Sequence, residues 1–273
     1  MNCKICNSTT RKFGEATVLG KYNAEYDQCT GCGFISARQP SWLPEAYSSA
    51  ITSSDLGTVS RTDQNSLKTK AVVDLFFNFA TTFLDYGAGY GMFVRRMRDL
   101  GYNFSAYDLH CQNLFSTQFQ ISDLDGKKFD LITAFEVFEH LEDPTGVFSL
   151  LLTHGDQLFF TTNLLPNPVP ALADWWYYGP EHGQHISFYT LKALEMVAAN
   201  HQRFFYTNGT DLHLFSRKRL SKFWFRKATK DRNSQYLGLW RRRSSLLDDD
   251  FVKNRAKILT QLGYIDHSVG WQK

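Results

Sequence analysis

From residue 82 onward, short apolar runs alternate with stretches of helical spacing: TFLDY, then MFVRRMRDLG, then YNFSAYD and FDLITAF. An apolar run closed by an acid or a glycine predicts a buried strand, and apolar positions three and four apart predict a helix. The alternation continues through PTGVFSLLLTH (helix), QLFFTTN (strand) and LKALEMVAAN, a helix with Thr190 as its N-cap. Residues 67–80, LKTKAVVDLFFNFA, carry helical spacing as well. HQRFFYTNGTDLHLFS sets Asn208-Gly209 between two strand-like runs, which predicts an antiparallel hairpin. Strands alternating with helices predict an α/β fold with a mostly parallel sheet covered on both faces.

The flanks break this pattern. Residues 38–66 are rich in Ser, Thr and Pro and read as a connector with short helical pieces. Before them, Cys3 and Cys6 form one Cys-x-x-Cys pair and Cys29 and Cys32 another, with Gly33 directly after the second. Four thiolates in two such turns match closed tetrahedral zinc. Disulfides are the alternative, but MNCKICNSTT lacks the basic and apolar regions of a secretory signal. Cys111 stands alone and reads as a packed residue. The divisions are a zinc module (1–37), a connector or lid (38–66), the α/β domain (67–215) and a C-terminal extension (216–273).

Composition bounds the rest. With 273 residues, 43% of them hydrophobic, the chain can bury one sizeable core and a small appendage. Its apolar runs are too short to span a membrane, so a cytoplasmic protein is expected. Net charge is only +3, yet residues 217–243 hold eleven Lys or Arg against one Asp. With Phe223, Trp224, Phe225, Tyr236 and Trp240 interleaved, that stretch fits an anionic partner: nucleic acid, an acidic glycan or the inner membrane surface. A solvated helix with an apolar stripe fits equally.

In Asp85-Tyr86-Gly87-Ala88-Gly89-Tyr90-Gly91 three glycines follow a strand and open a helix, so a ligand can lie against backbone where a Cβ would obstruct it. Asp108 ends the next strand, where a carboxylate can accept both hydroxyls of a ribose. LDYGAGYG, AYD and FDLITAFEVFEHLEDP, in that order, resemble the class I S-adenosylmethionine-dependent methyltransferases over roughly residues 67–215. The resemblance implies a Rossmann-like seven-stranded sheet with an antiparallel C-terminal hairpin. It implies S-adenosylmethionine as cofactor, with Asp85, Tyr86, Gly87, Ala88 and Gly89 at its methionyl part and Asp108 and Leu109 at the ribose. Phe135 and Glu136 would line the crevice. The segment between Asp108 and Phe129 is short and lacks a clear helix, and Asp123 is the candidate adenine contact there.

Methyl transfer from a sulfonium to a hydroxyl needs an in-line acceptor and a base, and histidine is the natural base near neutral pH. Glu139 and His140 of EVFEHL read as a helix-start capping pair. EHGQHISFYT (181–190) falls in a Trp- and Tyr-rich insertion, residues 164–190, after the strand QLFFTTN, expected to wall or cover the acceptor. His182 and His185 are the candidates there, with Tyr178 and Glu181 as acceptor contacts. Gly179, Pro180 and Gly183 argue against the helix that would align the two histidines on a metal, so proton transfer is favoured. QHISFYT also resembles the segment that carries the catalytic histidine in zinc-knuckle sugar methyltransferases, which makes His185 the base. The expected reaction is O-methylation of a sugar hydroxyl in a nucleotide-linked or surface-polysaccharide glycan. Sugar C-methylation, RNA methylation through the basic stretch and a non-enzymatic zinc adaptor are the alternatives.

Overall fold

The computed structural model describes residues 2–48, 55–231, 233–234 and 243–262. Four parallel strands, β4 (Phe83–Tyr86), β5 (Phe104–Tyr107), β6 (Leu131–Ala134) and β7 (Gln157–Thr161), lie in the order β5-β4-β6-β7. The predicted hairpin, β9 (Phe204–Thr207) and β10 (Leu212–Ser216), extends the sheet, with β10 inserted antiparallel between β7 and β9. Among the described residues the sheet therefore has six strands rather than the seven expected. Beyond β5, the polar chain SDLDGKK and its neighbours contribute one turn of 3-10 helix, Thr117–Phe119, and a lone bridge, Ala106 to Gln120.

Helices α3 (Met92–Asp99), α4 (Pro144–His154) and α5 (Leu191–Asn200) fall where helical spacing placed them. Asp143 caps α4 by accepting from the Gly146 amide, and Thr190 caps α5 by accepting from the Ala193 amide. One face of the sheet packs Phe138, Phe148, Phe160, Leu194 and Phe215 against α4 and α5. The other packs Val72, Phe93, Met97, Phe104 and Leu131 at α2 (Thr58–Phe76) and α3.

The connector is not what its composition promised. After the short α1 (Leu43–Ala46), helix α2 runs Thr58–Phe76, so it begins nine residues before the predicted start at 67. Asp55 anchors its first turn, accepting from the Thr58 hydroxyl at 2.7 Å and from Arg61. The early turns are polar where Thr58, Arg61, Thr62 and Asn65 border an open cavity rather than the core.

The N-terminal module is a second, antiparallel sheet of β1 (Thr10–Val18), β2 (Tyr22–Cys29) and β3 (Ile35–Ala37), but it is not closed by its own residues. Its fourth strand is β8 (Ser187–Phe188), pairing Ile35 with Phe188 and Ser36 with Ser187. The 164–190 insertion packs Leu165, Leu172, Tyr178 and Phe188 onto Val18, Tyr26, Ile35 and Trp42 beneath that sheet. Module and insertion are thus one structural unit.

The C-terminal extension contributes α6 (Lys222–Ala228) and α7 (Leu247–Gln261). Asp250 of α7 is buried and takes a bidentate contact from Arg98, at 2.6 and 2.8 Å, plus one from Arg95 at 3.1 Å. Tyr236, Trp240 and the rest of 235–242, with residue 232, lie outside the described residues of the basic stretch 217–243.

Candidate active site

At the C-terminal ends of β4, β5 and β6 a cavity of about 1320 Å³ opens, enough for a nucleotide-sized ligand and a second molecule beside it. One end is the glycine loop. Gly87, Gly89 and Gly91 all have positive φ (69°, 55° and 82°), and each performs a different task. A Cβ on Gly87 would strike Val137, and one on Gly91 would strike Asn113 and Ser116. A Cβ on Gly89 would meet no protein atom within 4 Å, so it would stand in the cavity where a ligand lies against backbone.

Two acids frame that loop. Asp108 accepts from the Gly89 amide at 2.8 Å and from the amides of His110 and Cys111 at 2.7 and 2.8 Å, tying the end of β5 to the glycine turn. Asp85 is buried, and its Oδ1 accepts from the Thr133 hydroxyl at 2.6 Å. Burial pushes its carboxyl up to about 7, the Thr133 bond opposes this, and the charge of Asp108 adds to it. Tyr86, Ala88, Leu109, Phe135 and Glu136 line the same cavity, whereas Asp123, the candidate adenine contact, does not line it and accepts from Lys127 at 2.7 Å. Glu136 holds a left-handed φ of 54°, rare for a side chain of this kind. Its carboxylate accepts from Thr161 at 2.7 Å and stands 3.9 Å from Arg61.

The other end is built from 176–185 and from Glu139 and His140. Gly179 (φ 54°) and Gly183 (φ 68°) make the tight turns of this loop. At Gly179 a Cβ would collide with the His182 ring, and at Gly183 one would collide with Val18 and Trp42. His182 accepts at Nδ1 from the Gln184 amide, 3.1 Å away, so its neutral ring carries its proton on Nε2 and is a donor. His185 is wired the opposite way. Its Nδ1 lies 2.7 Å from the Tyr177 carbonyl, which can only accept, and Nε2 keeps a free lone pair. His140 repeats that pattern, with Nδ1 3.2 Å from the Gln184 carbonyl. Burial pushes His140 down to about 4 and His185 well below the usual imidazole value, so both rings are neutral at neutral pH.

Several sequence expectations shift. Tyr178, read as an acceptor contact, is buried in the module's core, where its hydroxyl donates to the Pro170 carbonyl at 3.1 Å. Its neighbours Tyr177 and Trp176 line the cavity instead, together with Glu181, His182 and His185. Glu139 and His140 cap no helix, because the cap of α4 is Asp143. They lie in a single 3-10 turn, Phe138–His140, pinned to the loop by the Ile186 amide donating to the Glu139 carbonyl at 2.8 Å. The His140 and His185 rings are 4.9 Å apart. The Glu139 side chain is fully buried, burial raises its carboxyl to about 8, and the nearby Tyr177 and Thr162 hydroxyls oppose that shift.

The four paired cysteines do converge. Cys3 and Cys32 sulfurs are 3.6 Å apart and Cys6 and Cys29 sulfurs 3.4 Å, close to the ~3.8 Å edge of a tetrahedral zinc site with ~2.3 Å bonds. The amides of Ile5, Gly31 and Cys32 donate to sulfur at 3.3 Å each. The donor set therefore fits zinc, which all four cysteines would hold in a closed structural site. From this knuckle the Cys32 carbonyl accepts from Thr190 at 2.5 Å and the Gly31 carbonyl from Lys192 at 2.7 Å, so the module grips the start of α5.

Residues 60–202 match the family model for a methyltransferase domain. Among solved structures, an O-methyltransferase family protein from Burkholderia thailandensis is 13% identical with a TM-score of 0.47, over 59% of this chain and 57% of its own. The plantazolicin methyltransferase BpumL in complex with SAH is 13% identical at TM-score 0.43, over 63% of this chain and 94% of its own. Human N-acetylserotonin methyltransferase in complex with SAM gives 13% identity and 0.43, over 66% of each chain. No curated protein sequence matches. The chain spans little more than half the length of the first of these structures.

Proposed function

Because the chain belongs to the methyltransferase-domain family, we propose that it transfers the methyl group of S-adenosylmethionine to a hydroxyl of a carbohydrate, with His185 drawing off the proton. The carrying observation is that one cavity joins the glycine loop to the Nε2 lone pair of His185. When bound, the cofactor supplies an electrophilic methyl carbon on sulfur. Asp85 and the glycine loop receive its methionyl end, and Asp108 receives the ribose. His182, a donor at Nε2, holds an acceptor oxygen in place, and His185 takes the hydroxyl proton as the new O–C bond forms.

A neutral polyol suits the rest of the cavity. Glu136, Glu142, Glu181 and Asp211 line it, while Arg61, already paired with Asp55, is the sole Lys or Arg among the described lining residues. That charge repels a phosphate backbone and offers acceptors for sugar hydroxyls. Trp176 is 76% exposed at the wall, a flat face on which a sugar ring can stack. A nucleotide-linked or surface glycan is the substrate class proposed.

Calorimetry with S-adenosylmethionine, then labelled-methyl transfer to carbohydrate and RNA panels, tests this reading. His185→Ala is expected to keep cofactor affinity and to lose turnover by on the order of 10²–10⁴. Unchanged turnover in that variant, or methylation of RNA alone, would overturn it.

A further inference from the structure

Glu139, His140 and His185 come from two segments that the Ile186 to Glu139 hydrogen bond clamps together. Each offers one ligand atom, and the three atoms lie within 4.8 Å of one another. Both rings spend Nδ1 on a backbone carbonyl and leave Nε2 as an acceptor. Metal-bound imidazoles are held in this way, by a hydrogen bond at the far nitrogen that fixes tautomer and orientation. The third member is a carboxylate that is 0% exposed, with neither oxygen in a hydrogen bond. The Tyr177 and Thr162 hydroxyls approach it without hydrogen-bonding geometry, and no Lys or Arg among the described residues forms an ion pair with it. Three ligand atoms thus converge around carboxyl oxygens that no hydrogen bond satisfies, an arrangement that a cation, in place of a carboxyl proton, would satisfy.

We infer that Glu139, His140 and His185 form a second metal site, distinct from the four cysteines, for a divalent first-row transition ion at the floor of the acceptor cavity. Two imidazoles and one carboxylate favour manganese, iron, cobalt or zinc over magnesium and calcium, which take mostly oxygen. Three protein ligands leave positions open toward the cavity that His140 and His185 line. Resting on the methyltransferase reading for its acceptor, the proposal fills those positions with two neighbouring hydroxyl oxygens of the carbohydrate. The ion lowers the pKa of one hydroxyl, whose proton passes to water at the cavity mouth. The oxygen electron pair forms the bond to the methyl carbon, the carbon–sulfur bond breaks, and its pair stays on sulfur as a neutral thioether. In the loaded protein His185 acts through the ion rather than as the base itself.

The test needs no substrate. Full-length protein, with its four-cysteine zinc retained, is titrated with Mn²⁺, which thiolates bind poorly, and free Mn²⁺ is followed by electron paramagnetic resonance. Wild type is expected to bind one equivalent, and Glu139→Gln and His140→Asn to bind about tenfold more weakly or worse. Zinc content and S-adenosylhomocysteine affinity, both unchanged in the variants, show that they are folded. Absence of a Mn²⁺, Co²⁺ or Zn²⁺ equivalent beyond the four-cysteine site, or undiminished binding in both variants, overturns the metal site. Failure of the wild type to bind S-adenosylhomocysteine would instead overturn the methyltransferase reading and leave the metal result standing.

Discussion

Cofactor binding is expected to be coupled to a proton on Asp85. In the ligand-free protein this carboxyl is 4% exposed and titrates at about 7, because burial outweighs the single Thr133 hydrogen bond. An ordinary aspartate titrates near ~3.9, so the displacement corresponds to about 4 kcal/mol at ~1.4 kcal/mol per unit. The sign follows from linkage. A folded-state pKa raised above the unfolded value gives stability that is complete below about 4 and lost as pH rises through about 7. A cationic ammonium placed against Asp85 favours the ionised form and relieves that cost. Affinity for S-adenosylhomocysteine should therefore rise about tenfold per unit from pH 5 to 6.5 and level off above 7. At pH 6, binding should release about 0.9 proton, read by calorimetry in two buffers of different ionisation enthalpy. Asp85→Asn should bind weakly and without pH dependence. Wild-type affinity that is flat between pH 5 and 7.5, with enthalpy independent of buffer, would refute the reasoning.

Other outcomes follow from the same geometry. Gly89→Ala should cost only about 1–2 kcal/mol of stability for its left-handed backbone yet abolish cofactor binding, a separation that calorimetry and thermal melting can measure on one sample. Arg98→Ala should destabilise the fold by about 3–5 kcal/mol, by leaving the buried Asp250 short of its bidentate partner, and hydrogen exchange should show α7 released first. Chelating the zinc that the four cysteines would hold should raise exchange at β3 and β8 and through the His185 loop, whereas α2 and α3 should be unaffected.

Much of this was legible in the residues because it is local. The glycine turn, the acids at the ends of β4 and β5, the Thr190 cap and the 208–209 turn each need only neighbours in sequence. What escaped depends on distance. Glu139 and His140 looked like a cap because a helix follows them, and nothing in the intervening residues signals that His185 returns to their side. Trp176, Tyr177 and Tyr178 form one 3-10 turn, too short for any period to tell which ring faces the cavity. The early turns of α2 read as connector because the face they turn to the cavity carries Thr58, Thr62 and Asn65, residue types that also mark loops. The missing edge strand had a visible warning in the short, polar chain after Asp108.

The two-residue strand β8 has a consequence for how the protein comes to exist. Its partner Ile35 leaves the ribosome about 150 residues before Phe188, so the N-terminal sheet stays one strand short through most of synthesis. Closing that sheet late is the same event that sets His182 and His185 in place. A chain made under zinc starvation, or one stalled before residue 187, would then carry a formed glycine loop and no organised acceptor end. The histidine loop is thereby organised only after residue 188 of 273 has been made, long after the glycine loop.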